Sequence, residues 1–175
     1  MEFSMTRLLN FFTLIVTALS ATACAILPKN EVVTETHIPA KPEQVWSILT
    51  DGERYSEWNP FIINMQGSIE KGSQLKNTMK PFTGEQRIFK PTILEAKPNE
   101  ELRWIGRVGL PGVFDGEHYF LLETEAGGTR FIHGEKFSGF ALWFMDTDRF
   151  SENFEAMNVA LSERVIFNFK NNIKP

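Results

Sequence analysis

The stretch Asp146-Thr147-Asp148-Arg149-Phe150-Ser151-Glu152-Asn153-Phe154-Glu155-Ala156-Met157-Asn158-Val159-Ala160-Leu161-Ser162-Glu163-Arg164-Val165-Ile166-Phe167-Asn168-Phe169-Lys170 decides the fold. Its apolar residues recur at Phe150, Phe154, Met157, Leu161 and Val165. That spacing puts them on one narrow stripe of an α-helix over residues 146–170. Glu152, Glu155, Ser162 and Glu163 fall on the opposite side. Asp146, Thr147 and Asp148 offer N-caps, and Lys170 places a cation where the helix dipole favours one. Arg164 lies at the flank of the stripe and Asn168 on the stripe itself. A stripe with two Phe and a Met requires a large apolar partner surface. No other helical stretch beyond the leader is as long, so that partner is a sheet.

The chain upstream supplies one. Residues 31–38 alternate, with Val32, Thr34, Thr36 and Ile38 on one face of a first strand. Pro39 and Pro42 break it, and Pro42 with Glu43 suits a helix start. Val45, Trp46, Ile48 and Leu49 give that short helix a buried side, and Asp51-Gly52 stops it. A second short helix holds residues 53–57. Strands follow over 62–69, 74–80, 86–96, 101–108, 113–124 and 129–137, separated by Gly, Pro and Asn turns. Sequential short strands imply an antiparallel meander. Strands grouped between terminal helices imply an α+β architecture.

The formal charge is -4, and Lys and Arg are scattered among Asp and Glu. This composition argues against nucleic acid as a partner. Residues 1–23 read as an export or lipoprotein signal. The run 8–19 is apolar or small, Arg7 precedes it, and Ala21-Thr22-Ala23 resembles a small-residue cleavage site. The single cysteine, Cys24, follows directly, as the lipidated residue does in a bacterial lipobox, with Ala21 where Leu is usual. An ordinary secretory signal, an uncleaved anchor and a non-targeting tail are the alternatives. On the targeting readings the chain is expected to be exported. It would sit as a membrane-anchored lipoprotein or free in the periplasm or outside the cell. Residues 24–30 form a tether, and 31–175 one domain, long enough at about 145 residues to bury a real core.

The run His37-Ile38-Pro39-Ala40-Lys41-Pro42-Glu43-Gln44-Val45-Trp46-Ser47-Ile48-Leu49-Thr50-Asp51 resembles the opening of the START-like (SRPBCC) superfamily. Within it, the chain is most similar to the polyketide cyclase/dehydrase and lipid-transport group. Tyr55-Ser56-Glu57-Trp58-Asn59-Pro60-Phe61, Leu102-Arg103-Trp104, Gly128-Thr129-Arg130-Phe131 and Phe154-Glu155-Ala156-Met157-Asn158 continue the likeness. The resemblance implies a helix-grip fold, in which a seven-stranded antiparallel sheet wraps around the C-terminal helix and an apolar cavity lies between them. It speaks for the fold rather than for one activity, because such folds carry unrelated functions.

The hairpin of 113–124 with 129–137 carries the chemistry. A four-residue loop, 125–128, sets Glu123 opposite Arg130 and Glu117 opposite Lys136; a two-residue loop at Gly127-Gly128 loses both pairs. Opposite charges across a ladder contribute roughly 0.2–1 kcal/mol each, which favours the first register. The inner face then holds His118, Phe120, Leu122, Phe131, His133, Glu135 and Phe137. His118 faces Glu135 and His133 faces Phe120, while Tyr119 points outward. Three titratable groups on an aromatic face require partners. They form either a self-satisfied His–carboxylate pair or the polar end of a ligand site, with His118 and Glu135 as candidate acid and base. The spacing matches no common zinc pattern, so no metal and no cofactor is implied.

The expected ligand-cavity wall comprises Trp104, these inner-face residues, and Phe154, Met157, Leu161 and Arg164 of the helix. Arg164 would either reach an anionic group or snorkel to solvent. Trp46, Trp58, Trp104 and Trp143 read as core or cavity wall. Three functions fit. One is binding, with possible transport, of a hydrophobic small molecule or lipid. The second is a cyclase, dehydratase or hydrolase working through His118 and Glu135. The third is a ligand-free interaction domain. The partner is accordingly a small apolar molecule, with the membrane as a second partner through the N-terminal anchor. No particular oligomeric state is implied.

Overall fold

A computed structural model describes residues 27–82 and 84–171. The leader, with Cys24 and the apolar run, and the last four residues lie outside the described residues. The order is β1 (Lys29–Ile38), α1 (Pro42–Leu49), a 3-10 turn (Gly52–Glu57), and β2 (Ile62–Gln66), β3 (Lys76–Met79) and β4 (Arg87–Phe89). Then come β5 (Thr92–Lys97), β6 (Glu101–Val108), β7 (Phe114–Glu125) and β8 (Gly128–Ser138). A second 3-10 turn (Phe140–Phe144) leads to α2 (Phe150–Lys170).

Every strand pair is antiparallel. The strands form a five-stranded sheet, β1-β8-β7-β6-β5, and a three-stranded sheet, β2-β3-β4. The fold is the α+β helix-grip, with eight strands where seven were expected. The difference lies in the stretch read as one strand over 86–96. Pro91 has no N–H to donate and divides it into β4 and β5. The two sheets stay joined around that break. Leu75 N–H donates to Pro91 C=O at 2.9 Å, and Gly72 and Ile93 exchange bonds with the facing chain. The result is one bent surface.

α2 lays its stripe into that bend. Phe154, Met157, Leu161 and Val165 are fully buried and join one core with Trp104, Phe120, Phe131 and Phe137. The helix starts at Phe150 rather than at 146. Asp146, Thr147 and Asp148 are engaged elsewhere: Thr147 accepts a hydrogen bond from Asn30 Nδ2, and Asp146 Oδ1 accepts from the Asp148 N–H. α1 forms where expected, with Pro42, Val45, Ile48 and Leu49 buried, whereas Trp46, read as part of its buried side, is half-buried against the core. Gly52 is required where the following 3-10 turn crosses β2, because a Cβ there would lie 2.3 Å from the Met65 carbonyl oxygen.

Candidate functional site

The β7–β8 register is the one that the charge pairs favour. Glu117 stands opposite Lys136, His118 opposite Glu135, Phe120 opposite His133, and Glu123 opposite Arg130. The ladder runs one step further than expected, to Glu125 opposite Gly128, which leaves a two-residue turn. On the outer face Arg130 reaches Glu123 at 2.8 Å. Glu117 takes a different partner, Arg103 on β6 at 2.6 Å, and Lys136 instead sits over the Tyr119 ring.

The inner face carries a continuous polar strip. Glu135 Oε2 lies 3.2 Å from His118 Nδ1. His118 Nε2 lies 2.8 Å from His133 Nε2, and His133 Nδ1 lies 2.8 Å from Asn158 Oδ1. Asn158 Nδ2 donates to Thr34 Oγ1 at 2.9 Å, and Thr34 Oγ1 donates to the His133 carbonyl at 3.2 Å. Three strands and the helix thus contribute to one chain of hydrogen bonds. The two histidines are not paired across the ladder. They are diagonal neighbours, within reach of long side chains. Asn158 and Thr34 were not singled out from sequence. The signal for Asn158 was its place four residues after Phe154 and three before Leu161.

Aromatic rings exclude water from this strip. Trp104 stacks on His118 at 5.0 Å and 9°, and Phe154 stacks on His133 at 4.2 Å. Burial pushes His118 down to about 3. Burial, together with the neighbouring His118, also holds His133 well below the usual imidazole range, against the opposing hydrogen bonds it donates to Asn158 and the Phe154 backbone. Burial raises Glu135 to about 8. Its side chain retains 16% of its exposure, so it is the wetter end of the strip. Gly116 makes room for it, since a Cβ there would meet Glu135 Oε1 at 2.2 Å.

Donor counting reaches the same protonation state. Asn158 gives its amide hydrogens to Thr34, so its oxygen accepts from His133 Nδ1–H. A neutral His133 then accepts at Nε2, so His118 donates from Nε2 and accepts at Nδ1. The remaining donor is the protonated carboxyl of Glu135. The strip is a one-directional chain of neutral groups that holds a proton at Glu135.

The other expected wall residues Leu122, Phe131, Phe137, Met157 and Leu161 are buried on the same inner side. Arg164 is not part of the wall: it pairs with Glu57 of the first 3-10 turn and ties α2 to it. Trp143 is a second correction, at 55% exposed on the surface. Three other buried asparagines carry unpartnered amide atoms. Asn59 caps the Phe61 and Ile62 N–H groups but leaves its Nδ2 unpartnered, and Asn77 and Asn168 leave both amide heteroatoms unpartnered. Surface grooves of about 630 Å³ beside Glu31 and Glu117, and of about 570 Å³ beside Asp51 and Asn64, do not touch the strip. Among the described residues no cluster of three or more His, Cys, Asp or Glu side chains could hold a metal ion.

The family profile described as polyketide cyclase/dehydrase and lipid transport matches residues 29–165. The chain belongs to that family. Solved structures share its fold at low identity. A major latex-like protein from Panax ginseng is 10% identical with a TM-score of 0.67, covering 79% of this chain and 98% of its own. An uncharacterised Rhizobium leguminosarum protein is 16% identical with a TM-score of 0.62, over 79% of this chain and 95% of its own. A norcoclaurine synthase mutant from Thalictrum, in complex with a transition-state analogue, is 10% identical with a TM-score of 0.61, over 82% and 98%. No curated protein matches the chain.

Proposed function

We propose that this family member binds a neutral, largely apolar small molecule between the bent sheet and α2. The observation that carries this reading is the pair of orphaned amides, Asn77 on β3 and Asn168 on α2. They are 0% and 1% exposed, and neither amide has a partner. An unpaired buried polar group costs about 1–3 kcal/mol, so a ligand supplying a carbonyl or hydroxyl group would relieve them. The His118–His133 strip needs no such help because it satisfies itself. Charge selects against a carboxylate ligand: the interior groups are neutral, and Arg164 is committed to Glu57. Lipids and other apolar molecules of a cell envelope fit this description, in keeping with the leader read as an export and anchoring segment.

Native mass spectrometry of the purified protein, followed by solvent extraction, tests the proposal. A bound neutral amphiphile is the expected result. A protein that is empty, and that takes up no fluorescent long-chain ketone or alcohol, would overturn it.

A second reading, acid–base catalysis on a bound carbonyl compound, is favoured by Glu135. A carboxyl raised to about 8 holds a proton at neutral pH, and its partial exposure leaves it reachable by a bound carbonyl compound. If Glu135→Gln and His118→Phe both left turnover of every bound ketone unchanged, catalysis through this pair would be ruled out.

A further inference from the structure

The β6–β7 turn and the second 3-10 turn form one apolar tip. Phe140 N–H donates to Gly112 C=O and Ala141 N–H to Val113 C=O, each at 2.9 Å. Phe140 packs against Trp143 and Phe144, with ring centroids 5.1 and 5.7 Å apart. Yet Leu110 is 75% exposed, Trp143 55% and Phe144 79%, with Val113, Phe140 and Met145 beside them. Patches of this kind on an otherwise polar surface mark an interaction site.

The chain's own path indicates the partner. Gly139 N–H donates to the Pro28 carbonyl at 3.3 Å, and Leu27 Cδ1 lies 3.7 Å from where a Gly112 Cβ would stand. The leader therefore joins the domain at this tip. Cys24 precedes Leu27 by three residues, a reach of at most about 11 Å, and the apolar run ends eight residues before it, at most about 29 Å. A membrane that holds Cys24 lies within about 11 Å of the tip, and one that holds the apolar run within about 29 Å.

We infer that the tip is a membrane-docking surface, seating Leu110, Trp143 and Phe144 in the interface of a lipid bilayer. Trp and Phe suit that depth. Attraction between charges does not drive the contact. Arg107 is paired with Asp115 at 3.6 Å, Asp146 and Asp148 flank the tip, and the chain is net negative. Docking is therefore expected on zwitterionic lipid and to be insensitive to salt. An aromatic row, Phe137–Phe150–Phe154, runs inward from the tip to His133.

This inference rests on the reading of the leader as a membrane segment, and the experiment separates the two. The full chain is reconstituted on phosphatidylcholine vesicles, with flotation and quenching by headgroup-proximal brominated lipid as readouts. We expect flotation in low and high salt, and about twofold quenching of an emission component that Trp143→Phe removes, as for an indole at the interface. Leu110→Asp/Phe144→Asp should abolish the quenching and leave flotation intact. A floating protein whose Trp143 is not quenched would overturn docking and spare the anchor. A protein that does not float would overturn both. A cross-link between two copies at Leu110, with Trp143 unquenched, would assign the patch to a second copy and overturn docking.

Discussion

The Nε2 atoms of His118 and His133 lie 2.8 Å apart in the interior, and this contact fixes the direction of the hydrogen bonds around it. One of the two nitrogens must donate. Because Asn158 needs the other nitrogen of His133 as a donor, the donor of the pair is His118. The proton that His118 then lacks at Nδ1 comes from Glu135.

That arrangement gives folding stability a defined pH dependence. Glu135 keeps its proton up to about 8, whereas an unfolded Glu loses it near 4.5. Its contribution is intact below 4.5 and lost as pH rises toward 8. The histidines act in the opposite sense. His118 stays neutral down to about 3 against an ordinary 6.5, and His133 shifts the same way. Their contribution is intact above 6.5 and lost as pH falls. Near 6.5 two half-protonated unfolded imidazoles carry as many protons as the one folded carboxyl. Tm measured between about pH 4 and pH 9 should therefore peak near 6.5, with limbs of at most about 1.4 kcal/mol per pH unit for each uncompensated proton. Glu135→Gln retains an N–H donor for His118 and cannot ionise. It should flatten the alkaline limb and steepen the acid limb between about pH 4.5 and 6.5, where the folded carboxyl no longer offsets one of the imidazole protons.

The strip should also show strong coupling between its members. Asn158→Leu takes the amide acceptor from His133 Nδ1–H and the amide donor from Thr34 Oγ1, which keeps its bond to the His133 carbonyl, at an expected cost of about 1–3 kcal/mol in urea denaturation. His118→Phe alone leaves His133 Nε2 without a donor. His118→Phe/His133→Phe removes both partners and should cost less than the sum of the single changes by about 1 kcal/mol or more. Additive single and double changes would show that the 2.8 Å contact contributes nothing.

How far the sequence revealed these features depended on the interaction concerned. The β7–β8 register was readable because Glu123 and Arg130 make sense only opposite each other. The pairing of His118 with Glu135 followed from it. The contact of His118 with His133 was not readable, since a diagonal contact depends on sheet twist and ring reach, which the alternation of residues does not encode. Asn158 was hidden inside an apolar stripe that was scored for apolar residues. Phe140–Phe144 has no polar face to set a period, so its 3-10 turn and the exposure of Trp143 went unpredicted. Arg164 could be placed at the stripe's flank, but its partner Glu57 lies 107 residues away in sequence, and only folding brings them together.

Gly116 tests the seat of the carboxyl. A Cβ at this position falls 2.2 Å from Glu135 Oε1, so Gly116→Ala must push the side chain away from His118. The loss of that hydrogen bond should cost about 1–2 kcal/mol and shift the alkaline limb of the pH profile. In a Glu135→Ala background the same substitution should cost close to nothing. Equal costs in the two backgrounds would place the strain in the backbone instead.

Arg164 separates tethering from ligand contact. Its pair with Glu57, half-exposed on the Glu side, joins α2 to the first 3-10 turn. Pairs of this kind contribute about 0–1 kcal/mol, so Arg164→Gln should lower stability by no more than that. Ligand content measured by native mass spectrometry should be unchanged. Loss of bound ligand at full stability would return Arg164 to the binding wall.

Asn168 should set binding against stability. It replaces an apolar residue on the inner stripe of α2, and its amide is buried without a partner. Asn168→Leu removes that unpaired group and adds apolar contact, so the ligand-free protein should gain about 1–3 kcal/mol in denaturant unfolding. The same change removes a group that would hold the ligand's carbonyl or hydroxyl, and uptake of a long-chain ketone should fall about tenfold, the equivalent of one lost hydrogen bond of about 1.4 kcal/mol. A residue kept for packing alone would give the first result without the second. A substitution that destabilises the ligand-free protein would mean that the amide is satisfied within the fold, and the binding proposal would lose the observation it stands on.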